Sequence, residues 1–149
     1  MGADLYIAPL HQQQRQQWEP QFEEAVRQRN SFNPASKEYR QAQAVVDECY
    51  EKWHEQGYFR DSYNPFSLLW KFGLSWWEDV IPMLDHHSRL SVAQAQSLLA
   101  MLKERESAFE LRLAELADEE QRYFRRRYAE LKKFLNQAIE LNTPIDTSL

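Results

Sequence analysis

The stretch SVAQAQSLLAMLKERESAFELRLAELADEEQRYFRRRYAELKKFLNQAIELN, residues 91–142, decides the fold class. Val92, Ala95, Leu99, Leu102, Phe109, Leu113 and Leu116 recur at spacings of three and four, with Glu106 the one polar intruder. That period marks one face of an α-helix. Phe124, Tyr128, Leu131, Leu135 and Ala138 form a second stripe. The first register, carried forward, falls on Glu120, Tyr123, Arg127 and Glu130, which are mostly polar. The stripe therefore changes phase near Ala117, Asp118 and Glu119. Ser91 with Gln94, and Asp118 with Gln121, supply a helix cap before each stripe. The pattern predicts two antiparallel helices of about 25 residues each, tightly joined. A single bent helix is the alternative, because no Gly or Pro marks the break. Glu106 faces either water or a partner's arginine, so pairing within one chain and pairing across a dimer both stay open.

Upstream, the signals are shorter. Asp4, Leu5, Tyr6, Ile7 and Ala8 form a run closed by Pro9, either an edge strand or an extended arm. The Gln-rich stretch from His11 to Gln17 reads as a loop or a frayed helix. Pro20 suits the first position of a helix, where its missing N–H costs nothing, and Phe22, Ala25, Val26 and Arg29 follow as a stripe to about Asn30. A second helix is expected over 34–56, with Asn33 as cap, Pro34 at its first position and Gly57 as a left-handed stop. Its stripe is Tyr39, Ala42, Val46, Cys49 or Tyr50, and Trp53. Ser75 with Glu78 opens a third helix, Trp76 to Leu84, which Pro82 kinks or shortens. The expected fold is mainly α. It is an irregular bundle of four to five helices with a long C-terminal antiparallel helical hairpin, to which the N-terminus can add a short strand. One helical domain over 1–149 is expected, with an N-terminal arm over 1–17, an aromatic-rich connecting segment over 57–75 and a tail over 143–149.

Composition excludes several classes. The 149 residues are enough to bury a core without staples, with 43% hydrophobic and 13% aromatic content. That content argues against disorder. One Cys excludes a disulfide framework and a Cys-based metal site within one chain, and an unpaired Cys49 fits a reducing cytoplasm. The formal net charge is −5, and no segment forms a basic arm or acidic tail. Nucleic-acid binding is therefore not expected, since its affinity comes largely from phosphate neutralisation. The most apolar run, Pro65 to Trp77, is broken by Lys71 and is too short to span a bilayer. The N-terminus lacks the basic and apolar regions of a secretory signal.

The strongest anomaly is aromatic density. Nine of the chain's 20 aromatics lie between Trp53 and Trp77, interleaved with Arg60, Asp61, Ser62, Asn64, Lys71 and Asp79. Flat rings line pockets and anchor interfaces, while a few polar groups orient what binds. The competing reading is a core plug, in which the rings only pack. On the binding reading Trp70, Trp76 and Trp77 are anchors, Arg60 and Asp61 orient the ligand, and Tyr63 and Asn64 complete the surface.

Three weaker constellations stand beside it. Glu51-x-x-His54 places a carboxylate and an imidazole on one helix face, half of the pattern used in di-iron bundles. Asp85, His86 and His87 follow the third helix and can share an ion in a loop, or His86 and His87 can favour its negative end. Together these residues define the alternative, a small metal-dependent enzyme. Arg122, Arg125, Arg126, Arg127, Lys132 and Lys133 form a basic cluster, either ion-paired with nearby glutamates or turned to an anionic partner.

MGADLYI (1–7) and GYFRDSYN (57–64), with Leu68, Leu69, Trp70 and GLSWW (73–77), resemble segments of small uncharacterised bacterial or phage proteins. The resemblance covers the N-terminal half and implies no activity or cofactor. The leading expectation is a non-enzymatic cytoplasmic binding module with a protein partner or a second copy, without cofactor, nucleic acid or membrane.

Overall fold

A computed structural model describes residues 2–149. It is mainly helical with a small antiparallel sheet. In chain order the elements are β1 (Gly2–Tyr6), α1 (Ala8–Asn30), α2 (Lys37–Trp53), β2 (Tyr58–Ser62) and α3 (Leu68–Lys71). A π-helical turn (Trp76–Val80) and a 3-10 turn (Ile81–Met83) follow, then β3 (Arg89–Leu90), α4 (Val92–Glu104), α5 (Glu106–Leu113), α6 (Asp118–Glu140) and β4 (Ile145–Ser148). Chain contacts cluster into two compact units, Ala8–Tyr58 and Met1–Ile7 with Phe59–Leu149.

In the larger unit the sheet order is β2-β1-β4-β3. The N-terminal run is thus an interior strand, where an edge strand or arm was expected. Its alternation explains this: Ala3 and Leu5 are fully buried while Asp4 and Tyr6 face the other way. Residues 143–149 are likewise no tail. Asn142 turns the chain with φ 48, and β4 then pairs with two neighbours, Leu5 opposite Thr147 and Leu90 opposite Ile145. Ile145 and Leu90 are both fully buried. Gly2 is needed for close approach, because a Cβ there would lie 2.5 Å from the Asp61 carbonyl oxygen.

The C-terminal pattern reads well in the structure. The second stripe, Phe124, Tyr128, Leu131, Leu135 and Ala138, is buried along α6, and the turn falls at Ala117. Asp118 is the first helical residue and makes no side-chain cap; Gln121 Nε2 instead donates to Leu116 O at 2.9 Å. The first stripe is split at Arg105 (φ −103, ψ 8), so α4 and α5 replace one long helix. Glu106, the intruder, accepts from the Tyr128 hydroxyl at 2.5 Å. It faces a partner within its own chain. The Tyr128 ring meets Phe72 edge-on at 4.7 Å, and Phe72 stacks on Phe109 at 4.2 Å. Burial, followed by the Glu106 carboxylate, pushes the Tyr128 hydroxyl's pKa well above its usual value.

The smaller unit is α1 and α2, packed through Phe22, Ala25, Val26, Val46 and Cys49. The helix starts at Ala8, so His11 to Gln17 is ordered helix and Pro20 lies inside it. Gln is a good helix former, and Pro9 sits in the first turn, where it removes no internal bond. Pro20 removes one interior bond, and nearby the Gln21 side chain donates to the Gln17 carbonyl at 3.1 Å. The second helix is shorter than 34–56. Asn33 Oδ1 accepts from Ala35 N at 3.0 Å within a turn, and Ser36 Oγ is the cap, accepting from Tyr39 N at 3.1 Å. The helix ends at Trp53, and Gly57 takes φ 69 before β2 begins.

Candidate functional site

The aromatic segment is organised around one carboxylate. Residues 58–62, inside the expected connecting segment, form β2, whose period of two turns Phe59 and Asp61 inward. Asp61 is 6% exposed and accepts five hydrogen bonds. Oδ1 takes Ser62 N at 3.0 Å and Leu68 N at 2.9 Å. Oδ2 takes Ser67 Oγ at 2.9 Å, Leu69 N at 3.3 Å and Trp76 Nε1 at 2.8 Å. Leu68 and Leu69 open α3, whose own N-cap Ser67 makes no side-chain cap. Asp61 thus caps α3 from a neighbouring strand, meeting donors that the short helix cannot satisfy itself.

At its other end α3 is held by two arginines. Arg112 Nη1 donates to Trp70 O at 3.0 Å and Lys71 O at 3.1 Å, and Arg105 Nη1 lies 3.4 Å from Phe72 O. Gly73 then turns the chain with φ 72. Ser75 Oγ accepts from Trp77 N and Glu78 N, as the cap reading expects. The reciprocal residue is Asp79, whose Oδ2 accepts from Ser75 N at 2.8 Å, and not Glu78. The turn is π-wound, with Ile81 N reaching Trp76 O, so the matching position moves one residue on. Pro82 then ends the winding within the 3-10 turn Ile81–Met83.

Two adjacent tryptophans take opposite roles. Trp76 is 2% exposed; Trp77 is 56% exposed, its ring 5.6 Å from Tyr63. Trp70 is 48% and Phe66 64% exposed. Trp70 lines a cleft of about 360 Å³ with Gly73, Leu74, Ser75, Glu78 and Asp79. The expected anchors therefore divide. Trp70 and Trp77 are accessible; Trp76 and Asp61 are buried and support them from beneath. The Tyr63 hydroxyl is buried with no hydrogen-bond partner among the described residues. Burial, then the Asp4 carboxylate, raises its pKa above the ordinary phenol value. Asn64 Oδ1 accepts from Ser62 Oγ and Phe66 N at 2.9 Å each, so it shapes the turn after β2.

Arg60 points to the opposite side of β2 from Asp61, with its side chain 54% exposed and its Nε 3.8 Å from Asp4 Oδ1. Beside it stand Tyr123 and Arg127 of α6, and together with Ser62 and Asp61 they line a second cleft of about 360 Å³. Arg127 Nη2 donates to the Arg60 carbonyl, Nη1 pairs with Glu130, and the guanidinium lies 4.5 Å over the Phe59 ring. Two features separate in sequence, the aromatic segment and the basic cluster, thus meet here. Elsewhere in the cluster two arginines are ion-paired, Arg125 Nη2 with Glu110 at 2.7 Å and Arg126 Nε 3.8 Å from Glu130, while Arg122 Nε lies 3.4 Å from the Asp118 carbonyl and the Lys132 ammonium 4.2 Å over the Tyr128 ring.

The metal-ligand candidates take other roles. His54 caps α2, with Nδ1 2.9 Å from Tyr50 O, and its ring packs against Tyr50, Trp53 and Tyr58. Glu51 is exposed one turn earlier. Asp85 Oδ1 accepts from His87 N at 2.8 Å and Arg89 N at 3.0 Å, which closes the turn into β3. These backbone donors hold its carboxyl below the usual range. The His86 and His87 rings lie 3.9 Å apart on the surface. Among the described residues no three His, Cys, Asp or Glu side chains converge as metal ligands.

Sequence reasoning missed Ser67, Tyr123 and His11, and named Asp79 only among the polar groups of the segment, with Glu78 in its capping role. The His11 ring lies 5.7 Å from that of His54. A polar residue at an inward strand position signals Asp61's role, but only once β2 is recognised. Comparison with known protein families, curated proteins and solved structures gives no match. Among the described residues no helix is long and apolar enough to cross a membrane.

Proposed function

We propose that this protein is a non-enzymatic binding module whose partner is a protein. Trp70 and Trp77 serve as anchors, flanked by Phe66 and Tyr63. One observation carries the reading: Trp77 is 56% exposed directly beside Trp76, which is 2% exposed and hydrogen-bonded. A ring needed for packing is buried, as Trp76 is; an exposed indole on a braced turn adds nothing to the core. Large exposed aromatics are characteristic of interaction sites, where they bury much area with little loss of side-chain entropy. The cleft beside Trp70 gives a partner side chain somewhere to go, with Glu78 and Asp79 as its polar edge. The rigidity of the platform supports the same reading, because Asp61, Arg105 and Arg112 fix both ends of α3 before any partner arrives.

The test is capture from cell extract with the wild-type chain and with Trp70→Ala and Trp77→Ala. A protein retained by the wild type and lost from both folded variants supports the reading. Equal retention by all three contradicts it.

A further inference from the structure

We infer that the partner places an arginine side chain in the cleft between Trp70 and Glu78. The inference rests on the reading of Trp70 as an anchor and adds what the partner brings to it. Trp70, Gly73, Leu74, Ser75, Glu78 and Asp79 line the cleft, whose volume is about 360 Å³. Of these only Glu78 and Asp79 ionise, and both are acids. Glu78 is exposed, and among the described residues its carboxylate has no hydrogen bond or ion pair. Asp79 gives Oδ2 to Ser75 N at 2.8 Å, and its Oδ1 has no partner among the described residues. Trp70 is 48% exposed; among the described residues no ring stacks on it and no cation lies over it. Two guanidiniums stand beside Gly73, but neither lines the cleft and both are committed. Arg112 donates to Trp70 O and Lys71 O, and Arg105 lies 3.4 Å from Phe72 O and 3.5 Å from Gly73 O. The cleft thus combines an open indole face with two carboxylates that no cation of this chain pairs.

A guanidinium suits this combination better than an ammonium. Its planar face stacks on an indole, and its fork of N–H donors matches carboxylate oxygens. The apolar stem of the same side chain gains contact with the Trp70 ring. Arginine is also enriched where protein interfaces concentrate their binding energy. A net charge of −5 favours a cationic segment at longer range. Both walls are braced before anything binds, Trp70 through its carbonyl on Arg112 and Asp79 through Ser75 N, so little ordering is left for the partner to impose.

The experiment is an NMR titration of the full chain at fixed ionic strength with N-acetylarginine amide, and separately with the N-acetyl amides of lysine and norleucine. The arginine probe is expected to give saturable shifts at the Trp70 indole N–H and at the Ser75 and Glu78 amides. It is expected to bind more tightly than the lysine probe, with norleucine weakest. Glu78→Gln changes an exposed side chain and is expected to weaken the arginine probe roughly threefold to fivefold while leaving norleucine unchanged. Trp70→Leu keeps apolar bulk without the ring face and is expected to weaken the arginine probe by a similar factor. Absence of saturation, shifts spread over carboxylates elsewhere, or unchanged arginine binding in folded Glu78→Gln would overturn the inference. Equal binding of lysine and arginine would overturn the choice of a guanidinium. A titration that fails while Trp70→Ala and Trp77→Ala still lose the captured protein removes the arginine alone and leaves the binding reading standing.

Discussion

Trp76 donates its indole N–H to Asp61 at 2.8 Å, fifteen residues away, and so ties the π-helical turn to β2 and the start of α3. Asp61→Asn replaces one acceptor oxygen with an amide NH2, which then faces donors that have no other partner. Each buried donor left unsatisfied costs about 1–3 kcal/mol, so the loss is expected to be on the order of 3 kcal/mol. Trp76→Phe keeps most of the packing, leaves Asp61 its other donors and is expected to cost about 1–2 kcal/mol. Urea denaturation of both variants checks the order.

The neighbouring tryptophan behaves differently. Trp77 and Trp70 are about half exposed, so Trp77→Ala and Trp70→Ala lose the packing of the other half and are each expected to cost about 1–2 kcal/mol while the chain still folds. Partner affinity is expected to fall by about 2 kcal/mol for each, a factor of roughly thirty. Thermal melting and a binding titration with the captured partner separate the two effects.

Glu106 tests the C-terminal core. Removing its side chain in Glu106→Ala strands the Tyr128 hydroxyl, and a loss of about 1–3 kcal/mol is expected. Tyr128→Phe is expected to cost less, about 1 kcal/mol, because Glu106 keeps access to water. In the wild type Tyr128 is expected to ionise well after an exposed tyrosine, as burial and Glu106 both raise its pKa. Ultraviolet titration of wild type against Tyr128→Phe reads this directly.

His11 makes the smaller unit sensitive to acid. Burial first, then the His54 and Arg15 charges, lower its pKa below the ordinary 6.5. The folded state therefore binds its proton less readily than the unfolded chain does. Its effect on stability is absent above the unfolded value; as pH falls below 6.5 the unfolded state gains protons first and folding weakens. The loss levels off once pH drops below the folded pKa. Melting between pH 7.5 and 5 is expected to show this fall in the wild type and a shallower one in His11→Gln.

Long periodic segments were legible in the sequence and short paired ones were not. The phase change at Ala117 and the buried stripe of α6 follow from spacing alone, because every turn of a helix repeats the signal. β2 and β4 have five and four residues, and their pairing lies with partners far along the chain. Leu5 opposite Thr147 joins the two ends, which no local pattern announces. Pro20 suits a helix start, where its missing N–H costs nothing, yet α1 runs through it. Aromatic crowding singled out the segment but did not sort its rings into buried and exposed. Trp76 and Trp77 are identical in type and adjacent, and the π-winding with Asp61 beneath decides which is buried. Arg60 and Arg127 belonged to separate readings, and only the packing of β2 beside α6 brings them together.

The most direct measurement is the affinity of the captured partner for wild type, Trp77→Ala and Trp70→Ala, each shown by melting to be folded. The account predicts cooperative melting, a few degrees lower at most, with binding weakened about thirtyfold in both variants. Wild-type affinity in both would contradict it, and would leave the exposed indoles without a role in recognition.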